Sequence, residues 1–430
     1  MIYHLFQYLE NAGYDFPGMG LMHFLSFRAM LSAVTAMLVA LFAGNKIIDW
    51  LRSKQIGETV RDLGLEGQIQ KKGTPTMGGI IIILSILSGV LLFCDLTNIY
   101  VILLLVSTLW CGALGFTDDY IKVFKHRKEG MSEKGKLAGQ VLLGFVVGLT
   151  VWMSPNIVVR EKVEVKESVE RTLETETTVT SGRYVEEDVV KSTKTTIPFV
   201  KNHEFDYRWL SPVKGTWGWY AKWAIYVLMI VIVITACSNG TNLTDGLDGL
   251  AAGTSAVVGV VLGVLAWLGG NLIDSNYLNI MYIPGSGEIA IFMSAFVGAL
   301  VGFLWYNSFP AQVFMGDTGS LTIGGIIGVS AVLMRKELLI PLLCGVFFAE
   351  SVSVMAQRFY FRYTKKKTGV GHRIWSMAPL HHHYQDKKAP EGPVIFPKPV
   401  PPQHEAKITI RFWIVGLMLA VSTLALLKIR

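Results

Sequence analysis

Ten apolar runs, most of them long enough to cross about 30 Å of hydrocarbon as a helix, dominate this chain. They lie at 25–48, 78–94, 98–116, 135–153, 217–237, 249–270, 288–305, 320–334, 338–357 and 410–427. Only 17% of the 430 residues are charged, whereas soluble domains carry about 25%. This composition excludes an ordinary soluble enzyme, a disordered chain and a coiled coil. The sequence predicts an all-α polytopic membrane protein of about ten transmembrane helices, with residues 1–430 forming a single integral membrane domain.

The distribution of Lys and Arg among the loops predicts how the chain is oriented. Basic residues cluster after the first, third and ninth runs, most densely at 122–136 and 358–407. Short loops rich in Lys and Arg stay on the cytoplasmic side. We therefore expect these three loops to be cytoplasmic and both termini to be extracytoplasmic. Residues 1–27 contain no Lys or Arg, so we expect no cleavable signal peptide.

Two longer segments interrupt the apolar pattern. Within the extracytoplasmic segment 154–216, residues 157–190 alternate Val or Thr with charged residues around a Ser181-Gly182 turn, which predicts a small β-hairpin insert. A solvated surface feature is the simpler interpretation of this insert, and a docking site is the alternative. The cytoplasmic loop 358–409 contains a histidine motif and a Pro-rich stretch, 389–403, expected to be an extended linker.

Small residues and cysteines within the runs favour close helix packing. The eighth run is short and contains Gly324, Gly325 and Gly328, which suits helix contact better than lipid exposure. The four cysteines lie in or beside apolar runs without CxxC spacing, so we expect neither disulfides nor a zinc site. No internal repeat is present, which disfavours a transporter built from two related halves.

Adjacent carboxylates, Asp118 and Asp119, lie at the inner end of the third run. A carboxylate at membrane depth costs on the order of 3 kcal/mol, so this pair requires cations nearby. Neighbouring carboxylates also raise one another's pKa, so one of them can accept a proton. The alternative is that both reach into water beside Lys122 and Lys125.

A second polar cluster is the segment 238–249, SNGTNLTDGLDG. Asn239, Asn242, Asp245 and Asp248 recur every three residues, so a helix would place them on nearly one face. Their oxygen atoms suit a hard cation and hydroxyl groups, and the glycines allow close approach to a phosphate. A helix cap followed by a turn would explain one of these residues but hardly four.

Three further motifs contain candidate ligand-binding residues. Asp317 lies among glycines at the start of the eighth run. A carboxylate there would suit Mg²⁺, and a simple helix N-cap is the alternative. His381, His382 and His383 are consecutive and lack zinc-site spacing, so we interpret them as phosphate or sugar contacts or as a general acid or base. The segment 71–79, KKGTPTMGG, favours an anionic ligand. No P-loop motif occurs.

Acidic metal ligands, lysines and glycine turns thus all fall at the predicted cytoplasmic ends of the runs. Mg²⁺-dependent phosphoryl transfer needs this combination, because the protein's part is to position the phosphates and neutralise their charge. A lipid phosphate in the inner leaflet would be the simplest acceptor. No nucleic-acid partner is indicated.

These motifs resemble those of the phospho-N-acetylmuramoyl-pentapeptide transferase family, within the polyprenyl-phosphate N-acetylhexosamine-1-phosphate transferase superfamily. The resemblance covers nearly the whole chain and rests on segments 73–79, 118–119, 242–249, 314–320 and 379–383. The aspartate motifs are common to the superfamily, whereas TPTMGG and the triple histidine point to the muramoyl-pentapeptide branch. The insert and the Pro-rich stretch look longer than is usual in the family, and Tyr384-Gln385 replaces the commoner Phe-Glu.

The resemblance implies transfer of phospho-MurNAc-pentapeptide from UDP-MurNAc-pentapeptide to undecaprenyl phosphate, giving lipid I and UMP at the bacterial cytoplasmic membrane. It also implies a homodimer and an active site that faces the cytoplasm. Asp118, Asp119 and Asp317 would form the acidic Mg²⁺ centre, with Asp118 as the base, in either a direct or a two-step mechanism. The catalytic set would also include His381, His382 and His383. Substrate-binding positions would be Lys71, Thr76, Lys122, Lys134, Asn239, Asn242, Asp245, Gly246, Leu247, Asp248, Asn307, Phe314 and Gln357.

Other functions remain open at this stage. A sibling enzyme that uses UDP-GlcNAc would contain the same aspartates, although the triple histidine argues against it. A secondary transporter also buries carboxylates, but its charges should lie at mid-span. A non-catalytic scaffold explains the aspartate clusters least well.

Overall fold

The protein's structure, a computed structural model, describes residues 1–14, 17–54, 73–125, 127, 129–160, 189–197, 204–278, 280–385, 392–397 and 401–427. Lys71, the Ser181-Gly182 turn and parts of the Pro-rich stretch lie outside these residues.

Eight helices of the described chain are long and apolar enough to cross a membrane. They are α2 (Leu25–Ser53), α4 (Ile99–Phe124), α5 (Glu133–Met153), α6 (Thr216–Thr244), α7 (Leu250–Gly270), α9 (Gly287–Asn307), α10 (Gly316–Leu333) and α14 (Glu405–Leu426). A ninth candidate is bent by 79° between Glu337–Leu343, which includes α11 (Ile340–Leu343), and α12 (Gly345–Thr368). The polytopic membrane architecture is therefore confirmed.

The remaining apolar run forms α3 (Gly79–Phe93), which has 15 residues. At 1.5 Å per residue it is about 22 Å long, less than the roughly 30 Å of a hydrocarbon core. All ten predicted runs thus lie on helices, although α3 is too short to cross alone. Three short helices were not predicted: α1 (Ile2–Asn11), α8 (Leu272–Leu278) and α13 (Leu380–Gln385).

Among the described residues, three small two-stranded sheets lie outside the bundle. Strands β1 (Val159–Arg160) and β2 (Val189–Val190) pair antiparallel, as the two ends of the expected hairpin would, and residues 161–188 between them lie outside the described residues. A second antiparallel pair, β3 (Lys194–Thr196) with β4 (Glu204–Asp206), was not predicted.

The third sheet joins two parts of the segment 358–409. Strand β5 (Arg373–Trp375) pairs in parallel with β6 (Val394–Phe396), which belongs to the Pro-rich stretch. The prediction of a plain linker at 389–403 is therefore wrong for residues 394–396. Their backbone pairs with β5 and so forms a strand.

Helix α10 occupies the centre of the bundle, as its glycines predicted. A Cβ on Gly324 would lie 2.4 Å from the Cys237 carbonyl oxygen, and one on Gly328 would lie 2.9 Å from the Ile234 Cα. Helices α6 and α10 therefore touch backbone to backbone, as small residues permit. All four cysteines are buried and free, as expected.

The end of the bundle next to the insert contains a buried charged segment. Arg335, Lys336 and Glu337 follow α10 and are each at most 2% exposed. Thr196 of β3 donates its N–H to the Arg335 carbonyl oxygen at 2.9 Å and accepts from Lys336 Nζ at 2.5 Å. The Tyr207 hydroxyl lies 3.3 Å from Glu337 Oε1. Residues 194–207 thus cover this loop, whereas most of the stretch 157–190, interpreted from the sequence as a solvated surface feature, lies outside the described residues.

Candidate active site

Opposite that end, α4 and α10 meet at the predicted aspartates. A Cβ on Gly115 would lie 2.2 Å from the Asp317 carbonyl oxygen, so only glycine permits the two helices to approach so closely at this level. Asp118 and Asp119 lie one turn further along α4 and are buried. The close approach brings both of them beside the first turn of α10, which contains Asp317.

Asp119 binds the amino end of α10. Its carboxylate accepts hydrogen bonds from the backbone N–H groups of Asp317 at 3.1 Å and Thr318 at 2.8 Å, and from the Thr318 hydroxyl at 2.6 Å. These are N–H groups that no carbonyl within the helix can bind, and the positive end of the helix dipole stabilises the carboxylate. Asp119 therefore fixes the position of Asp317.

Two lysines lie between the other two carboxylates. Lys122 Nζ is 2.6 Å from Asp118 Oδ2 and 3.2 Å from Asp317 Oδ2. Lys136 Nζ is 3.0 Å from Asp118 Oδ1 and 2.5 Å from Asp317 Oδ2. Lys136 lies on α5, so three helices contribute to one charged cluster, and each ammonium group connects α4 with α10.

The loop between α4 and α5 closes over Asp118. The Met131 N–H donates to Asp118 Oδ1 at 2.6 Å. Gly130 precedes it with φ of +65°, and a Cβ there would lie 2.4 Å from the same oxygen. Glycine is required at this position both by the left-handed backbone and by the lack of space.

Helix α6 contributes amides to the same cluster. Asn242 Nδ2 donates to Asp317 Oδ1 and to Ser320 Oγ, both at 2.9 Å. One turn earlier, the Asn239 amide pairs with the Gln140 amide of α5, at 2.9 Å and 3.2 Å. Asn242 thus contacts the carboxylates directly, and Asn239 joins α6 to the helix that contains Lys136.

The predicted single stripe of Asn and Asp is wrong beyond Thr244. Helix α6 ends there, because Gly246 and Gly249 interrupt it, and Gly249 adopts φ of +73° before α7. Asp248 is buried, and its Oδ2 accepts from the Ala311 N–H at 3.0 Å. Residues 245–248 therefore form a separate loop, which we call the 245–248 loop.

Two predicted motifs meet beside this cluster. Phe314 donates its N–H to the Pro75 carbonyl oxygen at 2.8 Å and accepts from the Gly78 N–H at 2.8 Å. Thr76 is buried next to Gly316, whose Cβ position is 3.0 Å from Thr76 Oγ1. The 73–79 segment therefore lies against the residues that precede Asp317.

Asn307 connects the start of α7 with the residues before α10. It accepts from the Gly249 N–H at 3.1 Å and donates to the Val313 carbonyl oxygen at 2.9 Å.

The histidine motif folds back along α12. Gln357 accepts from the N–H groups of Ile374 and Trp375, at 2.9 Å and 3.1 Å, and donates to the Trp375 carbonyl oxygen at 2.9 Å. Two turns earlier on the same face, Glu350 accepts from the His381 N–H at 3.2 Å. His381 and His383 are buried, whereas His382 is half-buried. His381 lies against Gly246, whose Cβ position is 2.2 Å from His381 Nε2.

The acidic cluster fits a metal ion. Asp118, Asp119 and Asp317 each offer a carboxylate oxygen within 4.8 Å of the others. An all-oxygen set suits a hard divalent cation such as Mg²⁺. The two ammonium groups do not balance the three carboxylates, so the cluster keeps one excess negative charge that a cation would offset.

The structure thus brings together the three aspartates, Lys122, Asn242, Thr76 and the backbone of Phe314. It places Asn239, Asn307 and Gln357 in supporting hydrogen bonds, and Asp248 in the separate 245–248 loop. The basic residue of α5 at the aspartates is Lys136, whereas the predicted Lys134 is exposed. Sequence reasoning missed Lys136, and it also did not single out Gln140, which lies four residues later on the same helix face.

Comparisons with known proteins show to which family the chain is related. Residues 71–83 match the model described as phospho-N-acetylmuramoyl-pentapeptide-transferase signature 1, and residues 190–335 match glycosyl transferase family 4. Proteins named phospho-N-acetylmuramoyl-pentapeptide-transferase from Parabacteroides distasonis, Azobacteroides pseudotrichonymphae and Flavobacterium psychrophilum are 54%, 53% and 52% identical to this chain. Each match covers 100% of both chains, so the insert and the Pro-rich stretch do not make this chain longer than these relatives. The chain therefore belongs to the phospho-N-acetylmuramoyl-pentapeptide-transferase family.

Proposed function

We propose that this protein transfers phospho-MurNAc-pentapeptide from UDP-MurNAc-pentapeptide to undecaprenyl phosphate, giving lipid I and UMP. The observation that carries the proposal is the cluster of Asp118, Asp119 and Asp317 bound by Lys122 and Lys136. Full-length identity of about half to transferases of this name supports the substrates. The sibling and transporter alternatives lack such support.

The reaction exchanges one phosphoanhydride for another. An oxygen of the acceptor phosphate forms a bond to the phosphorus of the sugar 1-phosphate, and the bond from that phosphorus to the UMP oxygen breaks. UMP leaves with the bonding electrons. Because an anhydride is both consumed and formed, the reaction needs no ATP and is reversible.

The residues of the cluster have distinct parts in the proposed reaction. Lys122 and Lys136, which pair with carboxylates in the structure, exchange these partners for phosphate oxygens and neutralise them. Asp118 takes up any proton that the acceptor phosphate holds. Asp119 keeps the first turn of α10 in place through three hydrogen bonds, and Asn242 orients the Asp317 carboxylate.

Mg²⁺ is the proposed cofactor, with Asp317, Asp118 and Asp119 as the residues that would hold it. When bound, it would supply further positive charge next to the phosphates. The lysines limit how tightly the carboxylates can hold a cation before substrate arrives, since both ammonium groups lie within 3.2 Å of carboxylate oxygens.

The membrane setting of the site is part of the proposal. The aspartate cluster lies at the ends of the helices that adjoin the basic segments 122–136 and 358–407, so the positive-inside rule favours a cytoplasmic active site. The bacterial cytoplasmic membrane is proposed as its location on the family resemblance. A homodimer is also proposed, on the family resemblance, and light scattering of the purified protein would test it.

Release of UMP by purified protein in detergent tests the reaction. Complete mixtures contain UDP-MurNAc-pentapeptide, undecaprenyl phosphate and Mg²⁺, and parallel mixtures omit the lipid, contain EDTA or substitute UDP-GlcNAc. We expect UMP only when the muramoyl donor, lipid and metal are all present. Release from UDP-GlcNAc would assign the protein to the sibling activity, and no release from either donor by folded protein would refute the proposal.

A further inference from the structure

The outward face of α12 is apolar over several turns. Val352, Met355, Phe359 and Tyr363 are all more than half exposed, and Phe359 is 74% exposed. They recur at intervals of three or four residues, so they form one stripe along the helix. We call these four residues the α12 stripe. A continuous exposed apolar surface of this kind indicates a binding partner.

Basic side chains flank the α12 stripe. Residues 351–385 contain six Lys or Arg and no Asp or Glu. Five of the six lie on α12 and are exposed: Arg358, Arg362, Lys365, Lys366 and Lys367. Within the described part of the chain none of these five forms an ion pair, and Lys367 Nζ lies 5.9 Å from the centroid of the Tyr363 ring. The described residues therefore leave this positive charge uncompensated.

The opposite face of α12 is covered by protein. Glu350 is buried there and accepts from the His381 N–H at 3.2 Å. Two turns later, Gln357 accepts from the Ile374 N–H of β5 at 2.9 Å. The histidine motif and β5 thus occupy this face, and the α12 stripe is the face that they leave open.

The stripe begins at the level of the aspartate cluster. A Cβ on Gly240 of α6 would lie 3.2 Å from Phe347 Cβ and 3.4 Å from Ser351 Oγ, and Gly240 is two residues before Asn242, which binds Asp317. From there α12 continues through residues 352–368 for about 25 Å. Helix α12 is also the longer part of the bent candidate span. The stripe therefore continues from a membrane span, on the side of the bundle that contains the aspartates.

We propose that the α12 stripe lies in the headgroup region of the adjacent bilayer leaflet, where the five flanking basic residues bind anionic phospholipids. Helices with one apolar face and a polar face rich in Lys and Arg lie at the membrane interface in this way. Clusters of about four to eight basic residues next to a membrane span bind anionic headgroups, each residue contributing roughly fivefold in affinity. A bilayer fits better than a protein partner, because the stripe continues from a span and its flanking charges all have one sign. The inference does not depend on the proposed reaction.

Quenching of a fluorescent label on the stripe tests the proposal in the full chain, reconstituted in nanodiscs. Met355→Cys provides the labelling position, since the four native cysteines are buried. The nanodiscs contain phosphatidylcholine and phosphatidylglycerol, and one or the other lipid has a nitroxide quencher on its acyl chain, at equal mole fraction. We expect labelled phosphatidylglycerol to quench at least about threefold more strongly than labelled phosphatidylcholine. High salt should reduce this preference because it screens the charges, and aqueous iodide should quench weakly.

Removal of the flanking charges is the first control. The combined variant is Arg358→Gln, Arg362→Gln, Lys365→Gln, Lys366→Gln and Lys367→Gln. Its label should be quenched about equally by both lipids, because the apolar contact remains and the charge is gone. The second control is a label at Val260→Cys, an exposed position of α7, which has no charged residue. It should show no preference with or without the five substitutions.

Two results would overturn the inference directly: equal quenching by the two lipids when the basic residues are present, or a preference that survives their removal. Strong quenching by iodide with none by either lipid would also overturn it, because the stripe would then face water and suit a protein partner. UMP release by the wild type tests the proposed reaction separately.

Discussion

Substitution of Lys136 tests the site most specifically. This lysine lies on α5 and contacts one carboxylate of α4 and one of α10. Its Nζ lies 2.5 Å from Asp317 Oδ2 and 3.0 Å from Asp118 Oδ1, and its side chain is 20% exposed. Lys136→Met keeps most of the side-chain volume and removes the charge. It leaves three carboxylates with Lys122 as their only remaining lysine partner among the described residues.

The size of the effect follows from these distances. Unit charges about 3 Å apart attract by roughly 5 kcal/mol at an effective dielectric constant near 20, before desolvation is subtracted. Removing one member of a close charge pair usually costs about 2 to 5 kcal/mol. Because Lys136 is partly exposed, we expect about 3 kcal/mol of lost transition-state stabilisation, or roughly a 150-fold lower kcat/KM.

Initial rates of UMP release, with the unfolding temperature measured in parallel, provide the assay. Lys194→Met is the control, since Lys194 forms an ion pair of 3.0 Å with Glu204 at the far end of the molecule and should retain wild-type activity. Lys136→Arg should recover part of the rate. A folded Lys136→Met protein within fivefold of the wild type, or a larger loss in Lys134→Met, would refute the reasoning.

Four further predictions concern the site and the insert. Asp317→Asn should leave the protein folded but reduce UMP release below roughly 1% of the wild type; near-normal rates would remove it from the site. Gly130→Ala should lower activity about tenfold by displacing Asp118, whereas Gly215, also at positive φ, has no neighbour within 4 Å of its Cβ position, so Gly215→Ala should cost only about 1 to 3 kcal/mol of stability. EDTA should stop the reaction and added Mg²⁺ should restore it, with calorimetry of Mg²⁺ binding as an independent check. Arg335→Met should lower the unfolding temperature, because Arg335 is buried with its guanidinium 4.7 Å from the Tyr226 ring centroid and its charge favours the buried Glu337 carboxylate, while activity at 25 °C stays within twofold.

The membrane helices were predictable because their signal is local. Apolar length alone located all ten runs, and glycine content correctly placed α10 in the centre of the bundle. The pairing of Asp118 and Asp119 also implied cations nearby, as found. These inferences depend on the composition of single continuous segments, which does not require knowledge of the tertiary structure.

The features that sequence reasoning missed depend on contacts between distant segments. Periodicity could not reveal that α6 ends at Thr244, because the residue spacing of three continues through the glycine turn. The choice of Lys136 over Lys134 depends on how α5 is rotated against α6. Likewise, nothing local indicated that Lys336 would be buried by a strand 140 residues earlier in the chain.

Lipid I formation by the wild type and by Asp118→Asn is the most direct test of the central claim, that the aspartate cluster transfers the sugar phosphate to a lipid phosphate. Purified protein receives UDP-MurNAc-pentapeptide, undecaprenyl phosphate and Mg²⁺, and the lipid product and UMP are measured together by mass spectrometry. We predict equal amounts of lipid I and UMP from the wild type and neither from folded Asp118→Asn. Release of UMP without a lipid-linked product, or product formation by Asp118→Asn at a rate near that of the wild type, would contradict the account.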